Sequence, residues 1–417
     1  MKERIVSVND KNKYDVIIIG GGASGLFCAA SYGKLVKGLI LERSDSAGKK
    51  LLMSGNGQCN VTHGGDIKEF IKHYGENGKK IRSVLYPFNN QRTVDFFEAR
   101  GISLFERQDG KVFPTSLDAQ DILSMLKDCS SGNGFEVSYG RCVCKIEYSG
   151  GKYEVLCSDL KHERLIKYSA DKVVVAAGGC SYPSTGSDGS IFQVLEELGL
   201  EIISVRPSLV PIFVQDYPYS SLSGTSFSPA SVTVNGRENR DDLLITHTNF
   251  SGPAVINISR YVKAGDKMLI NYFPGKSFEE ILSEFKKNVP KSSKQTAGFL
   301  LEYLGTGVSK RFIEKICERA EIAENQKASA LTGSQLKKLA ELLTRDTFSV
   351  SGTGGFNTAM ATAGGVALTE VNLKNMECKK YPGLFFIGEV LDVDGDTGGY
   401  NLQFAWSSGY LAGNVSG

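Results

Sequence analysis

The sequence predicts an α/β fold in which a buried parallel sheet, flanked by helices, is interrupted by a long insert. Short apolar runs rich in β-branched residues, typical of strands buried on both faces, occur at residues 16–19, 173–177 and 384–387. The first run leads into a glycine-rich turn and a helical pattern. Between the second and third runs, residues 206–345 change from a two-residue period to a helical period.

The N-terminal stretch contains strand, glycine turn, helix, strand and acid in that order. Val16–Ile19 predicts the first strand, Leu26–Leu35 a helix and Gly38–Leu41 a second strand that closes on Glu42. A glycine turn by itself is common, but the flanking elements and the terminal acid make this one specific. The stretch therefore predicts a dinucleotide-binding βαβ unit.

Each part of the turn has a physical task in dinucleotide binding. Gly20 permits the tight turn, Gly22 lets the backbone approach a pyrophosphate, and Gly25 lets the helix pack close to the sheet. The helix N-terminus supplies N–H groups and a positive dipole end for the phosphates. Glu42 follows Gly20 by 22 residues and is placed to bond both hydroxyls of an adenosine ribose. An acid disfavours a 2′-phosphate, so the expected ligand is FAD or NAD rather than NADP.

Composition narrows the class of protein. A chain of 417 residues with 41% hydrophobic and 23% charged residues indicates an ordinary globular protein of two or three domains. The net charge of +2 gives no electrostatic case for nucleic acid, and no apolar run is long enough to span a bilayer. Because the N-terminus lacks a signal-peptide pattern, we expect a cytoplasmic protein without a membrane partner.

Cysteine and histidine spacing favours neither a disulfide framework nor a metal site. The nine cysteines are scattered without a C-x-x-C pair, so we expect reduced thiols and no redox pair of the disulfide-reductase type. The four histidines lack metal-ligand spacing, and no metal is expected.

The rest of the chain completes the sheet and defines the insert. Asp118–Cys129 predicts a helix, Phe135–Tyr168 an antiparallel meander and Lys172–Gly179 a buried strand. We expect a discontinuous domain of residues 1–205 and 346–417, an inserted β domain at 206–276 and a helical subdomain at 277–345.

The C-terminal region carries a second informative pattern. Leu384–Ile387 predicts a short buried strand ended by Gly388 and Glu389, and Asn401–Gly413 predicts a helix with glycines at its entry. This order resembles the second FAD contact of two-dinucleotide-type flavoproteins. There an acid bonds the ribityl chain, and the positive end of the last helix faces the flavin pyrimidine ring. An NAD-only domain would not need this second contact, so FAD is favoured.

Several strings together resemble one known family, the bacterial aminoacetone-oxidase-like flavoproteins, a group that includes the BaiN-like proteins linked to bile-acid metabolism. The match is colinear from residue 14 to residue 413, with the helical block agreeing only in position and character. The strings that carry it are GGGASG, GKKLLMSGNGQCNVT, VVVAAGGCSYPSTGSDG, ITHTNFSGPA, TGGFNTAMATAGGVAL and GEVLDVDGDTGGYNLQFAWSSG.

The resemblance implies a Rossmann-like FAD-binding domain whose insert, part β-barrel-like and part helical, covers the catalytic face of the flavin. The family reads glycine at 56 and arginine at 58, where this chain has Asn56 and Gln58. The cofactor-binding residues expected from the motifs and the resemblance are Gly20, Gly22, Ala23, Ser24, Gly25, Glu42, Arg43, Lys49, Lys50, Gly57, Cys59, Asn60, Val143, Ala177, Gly178, Gly388, Glu389, Asp392, Asn401, Leu402 and Gln403.

The expected function is an FAD-dependent oxidoreductase that transfers a hydride between a small organic substrate and flavin N5. The sequence leaves open what completes the flavin cycle. NAD(P)H could act as a transient electron donor if the protein is a reductase of an enone or bile-acid-like substrate. Dioxygen could be the electron acceptor if the protein is an aminoacetone-like amine oxidase. A flavin-bound regulatory protein associated with RNA modification is the non-enzyme alternative.

The sequence gives the least specific indication for the residue that acts as catalytic acid or base. His247 lies within a family-specific string and is a candidate proton donor or acceptor, although a lone histidine is more often structural. Tyr182 and Thr246 are weaker candidates. Flavin hydride transfer also proceeds without a protein acid, because the cofactor carries the chemistry.

Overall fold

A computed structural model describes residues 5–6, 12–305 and 307–416 of the chain. The chain forms two compact units, Met1–Pro207 with Phe356–Gly417, and Ser208–Gly355. The insert ends at Gly355, ten residues later than the sequence predicts, because the strand at 346–353 pairs with strands of the insert.

The helices and strands follow in chain order. Those up to residue 208 are β1 Ile5–Val6, β2 Lys13–Ile19, α1 Ala23–Ala30, β3 Gly38–Glu42, α2 Lys49–Met53, β4 Thr62–His63, α3 Ile67–Phe70, α4 Arg82–Leu85, α5 Asn90–Glu98, β5 Leu104–Glu106, β6 Lys111–Pro114, α6 Ala119–Gly132, β7 Phe135–Tyr139, β8 Arg141–Ser149, β9 Lys152–Asp159, β10 Arg164–Val175, α7 Ser190–Glu197 and β11 Ile202–Ser208. The insert contains β12 Ile212–Val214, β13 Ser226–Val234, β14 Arg237–Ile245, β15 Phe250–Ser251, α8 Pro253–Ile256, β16 Lys267–Asn271, α9 Phe278–Asn288, α10 Thr296–Leu304, α11 Lys310–Arg319, α12 Gly333–Thr344 and β17 Asp346–Thr353. The chain ends with β18 Ala361–Val366, β19 Val371–Asn372, β20 Glu377–Cys378, β21 Leu384–Phe386 and α13 Tyr400–Ser416.

The predicted α/β fold is confirmed. The central strands are parallel in the order β21-β10-β2-β3-β7, with Val16 of β2 opposite Gly38 of β3 and Lys172 of β10. β8 and β9 continue from β10 as an antiparallel meander. The apolar runs of β2 and β3 are buried along their length because strands flank them on both sides and helices cover the faces.

Helix α1 packs between the sheet and α13. The close approach of α13 to α1 depends on two glycines of α13. A Cβ at Gly409 would lie 3.0 Å from the carbonyl oxygen of Ser24, and one at Gly413 would lie 2.9 Å from that of Cys28. The predicted helix Leu26–Leu35 is wrong at both ends, since α1 runs from Ala23 to Ala30. The helix ends early because the side-chain amide of Asn133 donates to the carbonyls of Ala29 and Ala30, at 2.9 and 3.2 Å.

The insert combines a closed barrel with helices. The barrel order is β12-β15-β14-β13-β16-β17, and its apolar core continues into α9–α12. One buried carboxylate joins the two parts: Arg319 of α11 reaches both oxygens of Asp346 at 2.6 and 2.8 Å, and the hydroxyls of Tyr219 and Tyr272 donate to the same group at 2.6 and 3.0 Å. This structure agrees with a β-barrel-like part and a helical part.

Within the residues that the structure describes, no helix combines the length and apolarity needed to cross a membrane. All nine cysteines are free thiols. Cys144 is exposed at a bulge in β8, whereas Cys28, Cys59, Cys157, Cys180, Cys317 and Cys378 are buried.

A buried ion cluster ties the meander to the sheet. The fully buried carboxylate of Asp159 accepts from Arg141 at 2.8 Å, His162 at 2.9 Å and Arg164 at 3.2 Å. Burial alone would raise its pKa, but these partners outweigh burial and lower the pKa of Asp159 to about 2. The carboxylate therefore stays charged at every physiological pH.

Replacing Asp159 by Asn is expected to destabilise the protein by about 2 kcal/mol or more at pH 7. Because the folded-state pKa is depressed, this stabilisation is present above the unfolded pKa and is lost as pH falls toward 2. Urea unfolding of wild type and Asp159→Asn at pH 7 and pH 3 tests this. An equal difference between the two proteins at both pH values would refute the ionic origin.

Candidate functional site

The glycine turn brings β2, β10 and α1 into backbone contact. Gly20 has φ +107°, and a Cβ there would lie 2.4 Å from the carbonyl oxygen of Ala176. A Cβ at Gly25 would lie 2.1 Å from the carbonyl oxygen of Gly20. Gly22 differs, because no described atom lies within 4 Å of the position its Cβ would take. Space is therefore open at the one glycine that should face a pyrophosphate.

The first turn of α1, which includes Ala23 and Ser24, is the predicted phosphate site. Its N-cap residue Gly22 has no side chain to satisfy the first N–H groups of the helix. Those N–H groups and the positive end of the helix dipole suit an anion. Gly388 packs directly on this turn, since a Cβ there would lie 2.5 Å from Oγ of Ser24.

Glu42 lies at the end of β3, 8% exposed, with its carboxylate aimed back at the glycine turn. Its two oxygens accept the backbone N–H groups of Gly21 at 2.8 Å and Ser44 at 2.7 Å. A carboxylate has about four acceptor positions, so capacity remains for ribose hydroxyls. Arg43 turns away from this group and pairs with Asp188.

A charged network joins residues that are far apart in sequence. The ammonium of Lys50 lies 2.6 Å from the carboxylate of Glu389 and also donates to Ser181. Glu389 accepts the backbone N–H of Thr362 at 2.8 Å, and Oγ1 of Thr362 accepts the N–H of Ser181 at 3.1 Å. The structure thus pairs two residues that the sequence places among the expected cofactor ligands, Lys50 and Glu389.

Three more predicted residues lie at the start of α2 and in the loop that follows it. Lys49 pairs with Asp45 at 2.7 Å rather than with a group of the turn. Gly57 and Cys59 both have left-handed backbone, at φ +84° and +57°. Cys59 is fully buried, and burial raises the pKa of its thiol to about 12, so it is a neutral core residue.

Ala177, Gly178 and Val143 lie beside the sheet. Gly178 follows β10 at φ +76°, where a Cβ would lie 2.3 Å from Oγ of Ser187, so the chain turns sharply beside the half-buried Ala177. Val143 is buried in β8 at the residue before the bulge, opposite Cys157. The bulge interrupts regular pairing beside the residue expected to meet adenine.

The entry to α13 is built around amide groups. The side chain of Asn401 accepts the N–H of Gly395 at 2.8 Å and donates to the carbonyl of Gly395 at 2.9 Å. Asn60, with its amide oriented to suit its neighbours, accepts the N–H of Gly399 at 3.0 Å. Leu402 is partly buried against the core. The amides of Asn401 and Asn60 therefore fix the shape of the glycine loop before the helix.

Gln403 and Asp392 hold parts of the fold together. The side chain of Gln403 is completely buried, and its backbone N–H is bonded to the carbonyl of Gly399. Its amide is saturated by Thr62, Thr93, Phe88 and Ser407. Asp392 accepts the N–H of Gly364 at 3.1 Å and an amide N–H of Asn77 at 3.1 Å. The side chain of Gln403 therefore anchors α13, and a contact of this residue with the cofactor stays a prediction.

Arg107 is a residue that the sequence analysis missed. Its guanidinium donates to the amide oxygen of Gln58 at 2.7 Å and lies 3.9 Å from the ring centroid of Phe113. It brings a positive charge next to position 58, where the family that the sequence resembles has an arginine. The signal available in the sequence was that Gln58 stands where the family has an arginine. The pairing of β5 with β6 is needed to show that Arg107 supplies a positive charge beside it.

His247 lies in the insert, exposed in the loop between β14 and β15. The loop is closed by Thr246, whose Oγ1 donates to the carbonyl of Asn249 at 2.8 Å, and by Tyr217, whose hydroxyl donates to the carbonyl of Thr246 at 2.9 Å. A catalytic role for His247 stays a prediction. Within the described residues, no group of histidine, cysteine and carboxylate side chains has the arrangement of a metal site.

The residues of the larger unit fit a flavin dinucleotide. The open space at Gly22, the uncapped helix N-terminus and the inward-facing Glu42 suit the ADP half. The loop before α13 meets the same turn through Gly388, which places a second helix N-terminus within the same unit. This combination defines an FAD-dependent oxidoreductase of the Rossmann class.

The chain belongs to the HI0933-like family: the model of the HI0933-like protein Rossmann domain matches residues 14–415. It is 32% identical to the ribosomal RNA dihydrouridine synthase of Haemophilus influenzae, covering 94% of this chain and 96% of that protein. It is 33% identical to the Escherichia coli protein of the same name, covering 95% and 96%. It is 31% identical to the 3-dehydro-bile acid delta(4,6)-reductase of Clostridium scindens, covering 96% and 98%.

Solved structures support the fold. The FrdA subunit of a mutant E. coli quinol fumarate reductase matches at a TM-score of 0.51 and 13% identity, over 97% of this chain and 70% of that one. A flavocytochrome c3 fumarate reductase matches at 0.50 and 15% identity, over 97% and 78%. At these identities the likeness concerns the fold alone.

Substitutions at Gly25 and Gly22 of the turn are expected to have separable effects on stability and FAD binding. Gly25→Ala is expected to lower the thermal stability of the FAD-free protein, because its Cβ would overlap the carbonyl of Gly20. Gly22→Ala, whose Cβ meets open space, is expected to leave that stability unchanged and weaken FAD binding instead. Thermal unfolding with and without FAD measures both. Equal loss of FAD-free stability in the two variants would contradict this assignment.

Glu42→Ala is expected to weaken FAD retention by about tenfold or more, since it removes the acceptor for the ribose hydroxyls. Flavin content after dialysis and FAD titration of the FAD-free protein measure the effect. Glu136→Ala, at the end of the same sheet and bonded to Tyr14, is a control for losing a carboxylate. If Glu42→Ala purified with full, non-dissociating flavin, the ribose assignment would be wrong.

Proposed function

We propose that this protein reduces a carbon–carbon double bond conjugated to a carbonyl group, with NAD(P)H as the electron source. The observation that carries the proposal is the chemistry shared by the names of its relatives. Dihydrouridine is uridine whose ring double bond beside a carbonyl is saturated. A delta(4,6)-reductase of a 3-dehydro acid saturates double bonds conjugated to a 3-oxo group. The substrates differ, but the reacting group is the same.

A uridine of ribosomal RNA is the favoured substrate. Two of the relatives reported above carry that name, and both match along nearly the full length of each chain. This proposal departs from the expectation that nucleic acid is not a partner, which rested on the net charge of +2 for the whole chain. A steroid enone is the second candidate, supported by the bile-acid reductase at 31% identity.

The reaction balances with one reduced nicotinamide per double bond. The β-carbon gains a hydride, the α-carbon gains a proton from solvent or a protein acid, and NAD(P)H becomes NAD(P)⁺. Bound FAD supplies hydride transfer at N5. The residues of this chain would hold the phosphates of FAD at α1, bind the ribose through Glu42 and present the positive end of α13. A positive helix end favours the electron-rich reduced cofactor.

Anaerobic addition of NADPH or NADH is expected to bleach the visible flavin band. Subsequent addition of ribosomal RNA that lacks dihydrouridine should restore the band and leave RNA carrying two extra hydrogens at a uridine, detected by mass spectrometry. RNA that already contains dihydrouridine at that position is the matched control and should not restore the band.

The alternatives give different outcomes. Restoration of the band by a steroid 4,6-dien-3-one and not by RNA would favour the steroid reductase. Bleaching by an amine such as aminoacetone, with peroxide formed in air and no response to NAD(P)H, would overturn the proposal in favour of an amine oxidase.

A further inference from the structure

The insert contains a cavity that the flavin-binding motifs do not explain. Its volume is about 420 Å³, and it lies where β13, β14 and the loop after β16 meet the ends of α9 and α10. Its lining includes four aromatic side chains, of which Phe273 and Tyr303 are partly exposed, whereas Phe227 and Tyr272 are almost completely buried. A volume of this order, with aromatic and a few polar groups in the lining, is typical of sites for small ligands or single ligand groups.

Two cations line the cavity, and they differ in their partners. The ammonium of Lys276 lies 2.6 Å from the carboxylate of Glu284 and 3.2 Å from the hydroxyl of Tyr303, so its charge is neutralised locally. Arg240 is exposed on β14, and its guanidinium has no hydrogen-bond or ion-pair partner among the residues that the structure describes. The cavity therefore offers an anion one unengaged guanidinium near the partly exposed rings of Phe273 and Tyr303.

We propose that this cavity binds one unstacked nucleotide of an RNA strand, with the base against Phe273 and Tyr303 and a phosphate on Arg240. The inference rests on the proposed RNA substrate and adds a second contact to it. Stacking on aromatic rings together with cations along the backbone is the general mode of single-stranded RNA binding. Guanidinium groups match phosphate oxygens in geometry as well as in charge.

The surroundings favour a polyanion over a single carboxylate. α9 runs from the cavity for 11 residues, about 16 Å, and its far end begins a lysine-rich stretch. Lys286, Lys287 and Lys291 are exposed there, and within the described chain their ammonium groups have no ion-pair partner. A steroid carboxylate would satisfy Arg240 but would not reach these lysines. A nucleic acid strand presents phosphates to both ends of the helix.

Two variants remove the site without disturbing buried groups. Gly275 lines the cavity, has no positive φ and has open space at its Cβ position, so Gly275→Leu should fill the cavity from its rim. Arg240→Gln removes the unengaged charge. Gly298→Leu, at an open glycine of α10 outside the cavity, is the control for added bulk. Arg237→Gln, on the same strand but over the ring of Tyr261, is the control for lost charge.

The holoprotein and its variants are titrated with a labelled uridine-rich oligonucleotide at several salt concentrations. Gly275→Leu and Arg240→Gln are each expected to weaken binding by about tenfold, with the two controls within about twofold of wild type. Arg240→Gln should also lower the slope of log Kd against log salt by about 0.7, since one phosphate contact is lost. Unchanged oligonucleotide binding in both site variants would overturn the inference, as would equal loss in the controls.

Two further measurements separate this inference from the proposed function. A bile-acid carboxylate titrated against the same proteins should show no dependence on Arg240; tight binding that Gly275→Leu abolishes would identify a steroid site instead. Uridine reduction is assayed in parallel on the same variants. If the wild type reduces RNA but the variants bind RNA as well as it does, only the cavity proposal is refuted. If the variants bind RNA more weakly but no protein reduces it, only the proposed reaction is refuted.

Discussion

The larger unit depends on a backbone contact that only glycine permits. Gly20 lies against the carbonyl of Ala176, and Gly25 lies against the carbonyl of Gly20, so β2, β10 and α1 meet at distances that a Cβ would forbid. The same approach aims the N-terminus of α1 at the open space beside Gly22. A single steric constraint therefore fixes both the packing of the sheet and the position of the predicted phosphate site.

The two ends of the chain are joined by charges and amides rather than by the sheet alone. Lys50 reaches Glu389 across 339 residues of sequence, and the buried Gln403 connects α13 to the strand and helix that carry Thr62 and Thr93. A buried amide with every group satisfied specifies one arrangement, because any shift would leave polar atoms unpaired. The discontinuous unit can thus form around an insert that has its own apolar core.

Patterns local in sequence were the ones that could be predicted. The βαβ unit with Glu42 and the C-terminal strand and helix follow from periodicity and glycine spacing, which depend on neighbours along the chain. The end of α1 could not be predicted, because it is set by Asn133 from 103 residues away. Arg107 was missed for the same reason: its place beside Gln58 depends on strand pairing. Residue roles in the cofactor site, including those of Asp392 and Gln403, require the tertiary partners to be known.

Net charge is a poor guide to partners when the charges are unevenly placed. The +2 of the whole chain is small, yet Lys286, Lys287 and Lys291 form a stretch without acidic residues while many other lysines are paired with neighbouring carboxylates. A polyanion responds to the local arrangement of unpaired cations within about a Debye length, not to the sum over the surface. A nearly neutral chain can therefore carry a local surface suited to a polyanion, and in this protein Lys286, Lys287 and Lys291 lie on the insert, outside the dinucleotide-binding unit.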